Sequence, residues 1–209
     1  MQLRIVGLGD STTAGTPGFL SPLEAPPNSR GDPESQYSYW MMKVHSDWTV
    51  LNRGINGQRS DEILARFERD VVQEHPHCVI ILAGVNDLYQ GASLKSVKRN
   101  LLAMYQKALA AELGVVAATV LPYNTASTSE AKAIRDLNSW IKEAASSLRV
   151  MFCDTNLAVR DPNDPDRLRS SPDGLHPDVS GYRRMGEALA EAIDNSIKLG
   201  LIKARNNTS

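Results

Sequence analysis

Cysteine is scarce in this chain. Only Cys78 and Cys153 occur among 209 residues, too few for the disulfide frameworks that hold small secreted domains together. Both lie in apolar runs, CVIILAG and VMFCD, and read as small core side chains. No apolar run approaches the roughly 20 residues needed to cross a bilayer, so no integral membrane segment is expected. An excess of either charge is lacking too: 23 Lys and Arg face 24 Asp and Glu, a formal net charge of -1, which leaves no electrostatic footprint for nucleic acid or an anionic membrane surface. The opening MQLRIVGLGDS has no charged leader, apolar h-region or cleavage site; with Met1 taken as the start, this predicts a cytoplasmic location. GxSxG is absent, which excludes the strained nucleophile elbow of the α/β-hydrolases.

What is present is an alternation. Short β-branched runs recur as LRIVGLG, TVLNRGI, CVIILAG, VVAATVLP and RVMFCD, and helical periodicity fills the intervals. Ser60 is a candidate cap for a helix carrying Ile63, Leu64, Phe67 and Val71 on one stripe. A second helix runs from Ser93 through Leu94, Val97, Leu101, Met104, Tyr105, Ala108 and Leu109, with Gly114 as its expected stop. A third starts near Thr128 with Ile134, Leu137, Ile141 and Leu148 inward, and a last begins at Pro177. Tyr37, Trp40, Met41 and Val44 form a shorter amphipathic run that His45 closes. Five strands alternating with helices predict a parallel α/β sheet, because parallel strands require crossover connections. One domain over residues 1–200 is expected, with a fraying tail at 201–209. Residues 16–35 hold five of the eleven prolines and no periodicity. They read as an insertion loop, either a lid or substrate wall or a tolerated surface insertion.

In an open parallel sheet, ligands bind outside the carboxyl ends of the strands. In order, those ends deliver Gly9-Asp10-Ser11, then Asn52 to Gly57, then Gly84-Val85-Asn86-Asp87; SPDGLHPD, with Asp173 and His176, precedes the final helix. A serine hydroxyl attacks a carbonyl only with a base to take its proton, and imidazole suits that task near neutrality. His176 is the candidate base, and Asp173, three residues earlier, is placed to hold its ring. The resulting oxyanion needs preorganised donors. Candidates are the Asn86 side-chain amide and the backbone N–H groups of Gly54 and Ser11, with Asp10 and Asp87 supporting them. Each motif alone is an ordinary turn, cap or strand exit. Their order along the chain is what carries the reading. His75 and His77 lack companion ligands for a metal and read as solvated loop residues, and Arg53 and Arg59 as surface arginines.

In these four blocks, spanning residues 7–181, the chain resembles the SGNH hydrolases, also called the GDSL esterase and lipase family. Ser11 matches the nucleophile of GDS, Gly54 the glycine of the second block, Asn86 the asparagine of GxND, and His176 the histidine of DxxH. The resemblance implies a flavodoxin-like three-layer α/β/α sandwich around five parallel strands. It also implies an acyl-enzyme on Ser11, Asp173 as the acidic triad member, and no metal or organic cofactor. A small-molecule ester is the implied substrate, short acyl or acetyl esters foremost, with thioesterase and lysophospholipase activities as alternatives within the family. Oligomeric state stays open. From other classes, a nucleotide-binding domain would use GLGDST as a glycine-rich turn, but a proline-rich loop stands where its phosphate-binding helix should begin. A catalytically dead binding module is opposed by the intact set of chemical groups.

Overall fold

The computed structural model describes residues 2–202. Five strands, β1 (Leu3–Gly9), β4 (Trp48–Gly54), β5 (Cys78–Leu82), β6 (Gly114–Ala118) and β7 (Met151–Cys153), form one sheet in the order β4-β1-β5-β6-β7. Every pairing in it is parallel. Alternate residues serve opposite faces, as strand geometry demands. Leu3 and Ile5 of β1, and Cys78, Ile80 and Leu82 of β5, pack with Tyr37 and Met41 of α2 (Tyr37–Val44) and with Tyr182, Met185 and Leu189 of α9 (Val179–Lys198). Val6, Leu8, Val79 and Ile81 pack on the other face with Leu101 and Met104 of α6 (Leu94–Ala110) and Leu137 and Ile141 of α7 (Thr128–Leu148). This is the three-layer, flavodoxin-like α/β/α arrangement. After β1 the chain passes to β4 on one side and then to β5 on the other, so the order reverses at β1 and a crevice opens beyond its carboxyl end.

Several boundaries differ from the sequence expectation. The stripe after Ser60 is broken into α3 (Ser60–Ala65), α4 (Phe67–Asp70) and a 3-10 turn at Val72–Glu74. At the break Arg66 turns inward, its guanidinium donating to the carbonyls of Gly9 at 2.8 Å and Arg53 at 2.9 Å. Ser60 does not cap α3: the cap is Arg59, whose N–H is held by Glu62 at 2.9 Å, and the Ser60 hydroxyl goes to Asp87. α6 ends through Glu112 at φ 57, where Leu113 N–H reaches the Ala108 carbonyl at 3.0 Å, and Gly114 already belongs to β6. Asp178, not Pro177, opens α9 by accepting from Gly181 N–H at 2.7 Å.

Residues 16–35 carry more structure than their composition suggested. β2 (Phe19–Leu20) pairs antiparallel with β3 (Arg30–Gly31), and a 3-10 turn follows at Pro33–Ser35. Of the expected tail, Ile202 is buried against the core, while residues 203–209 lie outside the described residues. His77 is no solvated loop residue: half-buried, it accepts from Arg4 N–H through Nδ1 at 2.9 Å, and its own N–H reaches the Arg4 carbonyl at 2.7 Å. Cys78 and Cys153 are buried free thiols, as their apolar settings implied.

Candidate active site

Immediately past β1 the chain turns into a single helical turn, α1 (Ser11–Ala14). No helix was expected to begin here. Asp10 caps it, its Oδ1 accepting from Thr12 N–H at 3.0 Å, and Gly15 ends it in the left-handed region at φ 108, where a side chain would be strained. Ser11 is therefore the first helical residue, and its N–H has no intrahelical acceptor. Its hydroxyl meets the imidazole of His176, with Oγ 2.8 Å from Nε2. The other ring nitrogen, Nδ1, stands 2.7 Å from Asp173 Oδ2. Residues 165 positions apart in sequence thus converge, and the imidazole bridges a hydroxyl and a carboxylate.

The turn that carries Asp173 and His176 is braced from within. Asp173 Oδ1 accepts from the N–H groups of Leu175 at 2.9 Å and His176 at 2.8 Å. Ser171 Oγ accepts from Gly174 N–H and donates to the His176 carbonyl at 2.6 Å. Gly174 occupies φ 78, the left-handed conformation this tight reversal requires. Partial burial works against the Asp173 charge, yet the bonds from the His176 ring and the two backbone N–H groups outweigh it and hold the carboxyl below its ordinary pKa. An ionised acceptor beside Nδ1 keeps that nitrogen protonated and leaves Nε2 free to receive the Ser11 proton.

Asn86, in α5 (Val85–Tyr89), faces the same crevice. One side-chain N–H is spent on the Gln58 carbonyl at 3.0 Å, and the amide carries a second. Asp87 points the other way, its carboxylate clamping Ser60 through N–H at 2.7 Å and Oγ at 2.6 Å. Burial raises the pKa of Asp87, and burial, aided by the charge of Asp87, pushes that of Asp10 to about 7. Both carboxyls anchor backbone around the site; neither is among the pocket-lining residues.

Gly54 departs from its expected place. Its N–H is donated to Asn52 Oδ1 at 3.0 Å, and a Cβ built on it would lie 2.1 Å from Ala14 N, so the residue is a glycine because α1 packs directly on the end of β4. Beyond it, Ile55 N–H goes to the Gly9 carbonyl, Asn56 N–H to Glu24 Oε1 and Gln58 N–H to the Ile55 carbonyl. Of the N–H groups from 54 to 58, Gly57 alone has no acceptor among the described residues, and at φ 76 open space surrounds its Cβ direction.

The pocket beside Ser11 has a volume of about 130 Å³ and is walled by Asn56, Val85, Tyr89, Leu121, Pro122, Tyr123 and Leu175. No residue of 16–35 lines it. That insertion instead buttresses the second block from behind, Ser21 Oγ donating to the Gly54 carbonyl at 2.6 Å and Glu24 holding Asn56. Sequence reasoning missed Arg66, although a signal existed: Ile63, Arg66, Phe67 and Asp70 share one buried stripe, and a charged pair on an apolar stripe needs internal partners. Nothing in the sequence marked the pocket walls, which come from α5 and from loops distant in the chain. Among the described residues no group of His, Cys, Asp and Glu could hold a metal ion, and no helix is long and apolar enough to cross a membrane.

An acetylxylan esterase from Geobacillus stearothermophilus is 25% identical over 160 residues, covering 69% of this chain and 71% of that protein. Two solved structures share the fold. A lipolytic protein of the G-D-S-L family from Desulfitobacterium hafniense DCB-2 superimposes with a TM-score of 0.76 at 24% identity, over 91% of this chain and 99% of that one. A GDSL-like lipase from Bacteroides thetaiotaomicron VPI-5482 gives 0.75 at 24% identity, over 93% and 89%. With residues 8–184 matching the GDSL-like Lipase/Acylhydrolase family, the chain belongs to that family of ester hydrolases.

Proposed function

We propose that the protein hydrolyses short acyl esters of small molecules, acetyl esters foremost, through an acyl-enzyme on Ser11. The observation that carries this reading is the linear relay in which Asp173 Oδ2, the His176 ring and Ser11 Oγ follow one another at 2.7 and 2.8 Å. His176 takes the Ser11 proton as Oγ attacks the ester carbonyl, then returns it to the leaving alcohol. Water then attacks the acyl carbon as it gives a proton to His176, and the Ser11 Oγ–carbon bond breaks as His176 returns that proton to Oγ, releasing the acid. Asp173 holds the ring and stabilises the imidazolium. The oxyanion is received by the second Asn86 N–H, the Ser11 N–H at the start of α1 and the Gly57 N–H, which replaces Gly54 in this role on the hydrogen-bond pattern of the 54–58 segment. A pocket of about 130 Å³ suits an acetyl or similarly short group better than a long acyl chain, and the similar acetylxylan esterase supports an acetyl ester on a polyol.

The test is a panel of p-nitrophenyl esters and acyl thioesters from acetyl to palmitoyl, with acetylated sugars, run beside labelling by a fluorophosphonate. Wild type should turn over acetyl and butyryl esters fastest and carry the label on Ser11. Ser11→Ala should lose both while keeping its unfolding midpoint. Turnover by Ser11→Ala near the wild-type rate, or a preference for long acyl chains, would overturn the reading.

A further inference from the structure

Away from the crevice, a second concavity of about 410 Å³ is lined by Leu157, Ala158, Arg160, Pro162, Pro165, Arg169 and Arg184. Three arginines and no acidic residue are among the residues that line it. All three arginines are tied to one short helix, α8 (Thr155–Val159): Arg160 N–H to the Asn156 carbonyl at 2.9 Å, Arg169 N–H to the Val159 carbonyl at 2.9 Å, and Arg184 Nε to the Ala158 carbonyl at 2.8 Å. Arg184 is fixed again by Nη1 on Ser180 Oγ at 3.1 Å. The side chains of Arg160 and Arg169 have no hydrogen bond or ion pair among the described residues.

Of the acids of the surrounding chain, Asp164 pairs with Arg167, Asp166 with Arg135, and Asp161 accepts from Asn163 N–H, while Asp178 caps α9 and its charge is also felt by Arg184, leaving Arg160 and Arg169 as the two unpaired cations of the concavity among the described residues. Like charges gathered round one concavity repel one another, and a pocket lined by a single sign of charge concentrates counter-ions. Guanidinium forks match the oxygens of phosphoryl and sulfo groups, each able to give paired donors. Leu157, Pro162 and Pro165 add an apolar floor that a bare ion would not use.

From this placement we infer that Arg160, Arg169 and Arg184 form a binding site for a tetrahedral oxyanion, a phosphoryl or sulfo group, separate from the catalytic pocket. The inference is independent of the esterase reading, since none of the three arginines belongs to the hydrolytic machinery.

The experiment is a titration of the full-length, 15N-labelled protein at low salt with inorganic phosphate and, separately, with phenyl phosphate. Saturable shifts confined to residues around 157–169 and 184 are expected. Arg160→Gln combined with Arg169→Gln should weaken binding about tenfold or more, given the worth of charge-assisted hydrogen bonds. Arg183→Gln, which removes an exposed arginine paired with Glu187, should leave affinity within about twofold, as expected of a surface pair. Hydrolysis of p-nitrophenyl acetate should be unchanged in both variants. Tighter binding of phenyl phosphate than of phosphate assigns the site to a phosphomonoester on a larger molecule, and equal binding assigns it to the free ion. Shifts scattered over the surface, no saturation, or an equal loss in Arg183→Gln would overturn the inference.

Discussion

Replacing Asp10 by Asn isolates the cost of burying a charge beneath the nucleophile. Asp10 is 1% exposed and its Oδ1 holds Thr12 N–H. Burial, with repulsion from Asp87, outweighs that bond and the attraction of Arg66, raising its pKa from 3.8 to about 7. Because the folded value is the higher one, the native state keeps a proton that the unfolded chain has lost. The associated stability is complete below about pH 4 and disappears as pH rises through about 7. A difference of roughly three pH units at 1.4 kcal/mol each makes this about 4 kcal/mol between pH 4 and pH 8. Asparagine keeps the capping oxygen and does not titrate. The stability of Asp10→Asn relative to wild type, from urea unfolding, should therefore rise in the variant's favour by up to about 4 kcal/mol over that range. A gap constant with pH, or one that moves against the variant, would refute the claim that burial governs this carboxyl.

Two further substitutions separate chemistry from packing at the crevice. Asn86→Ala should lower kcat about a hundredfold or more, the usual cost of one oxyanion donor, with KM little changed; steady-state kinetics on p-nitrophenyl acetate would check this, and an unaltered kcat would remove Asn86 from the reaction. Gly54→Ala should act on the fold: its Cβ would meet Ala14 N at 2.1 Å, and overpacking of this kind costs roughly 1–3 kcal/mol. Denaturant unfolding should show that loss, whereas an undiminished midpoint would contradict the close contact of α1 with β4.

The two glycines of the second block show where sequence reading stops. In NRGINGQRS the sequence pointed to Gly54 as the backbone donor, and the local pattern does not separate it from Gly57, the donor now proposed. The choice depends on α1, whose atoms leave no room for a side chain at Gly54, and on Asn52, which takes the Gly54 N–H. Helix ends were misread for a related reason. Ser60 has the chemistry of a cap, but Asp87 captures its hydroxyl from a different strand end. The proline-rich stretch was open to two readings, a lid or substrate wall and a tolerated surface insertion, and the contacts of Ser21 and Glu24 make it a brace.

Composition and spacing by themselves determined the alternation of strands and helices, the parallel sheet and the hydroxyl, imidazole and carboxylate of the relay. Those follow from periodicity and from a turn short enough to join Asp173 to His176. Tertiary structure alone decided which backbone N–H stays unpaired, which walls close the pocket, and why Arg66 is buried. Each of these depends on atoms brought together from distant segments, and local sequence carries no record of that proximity.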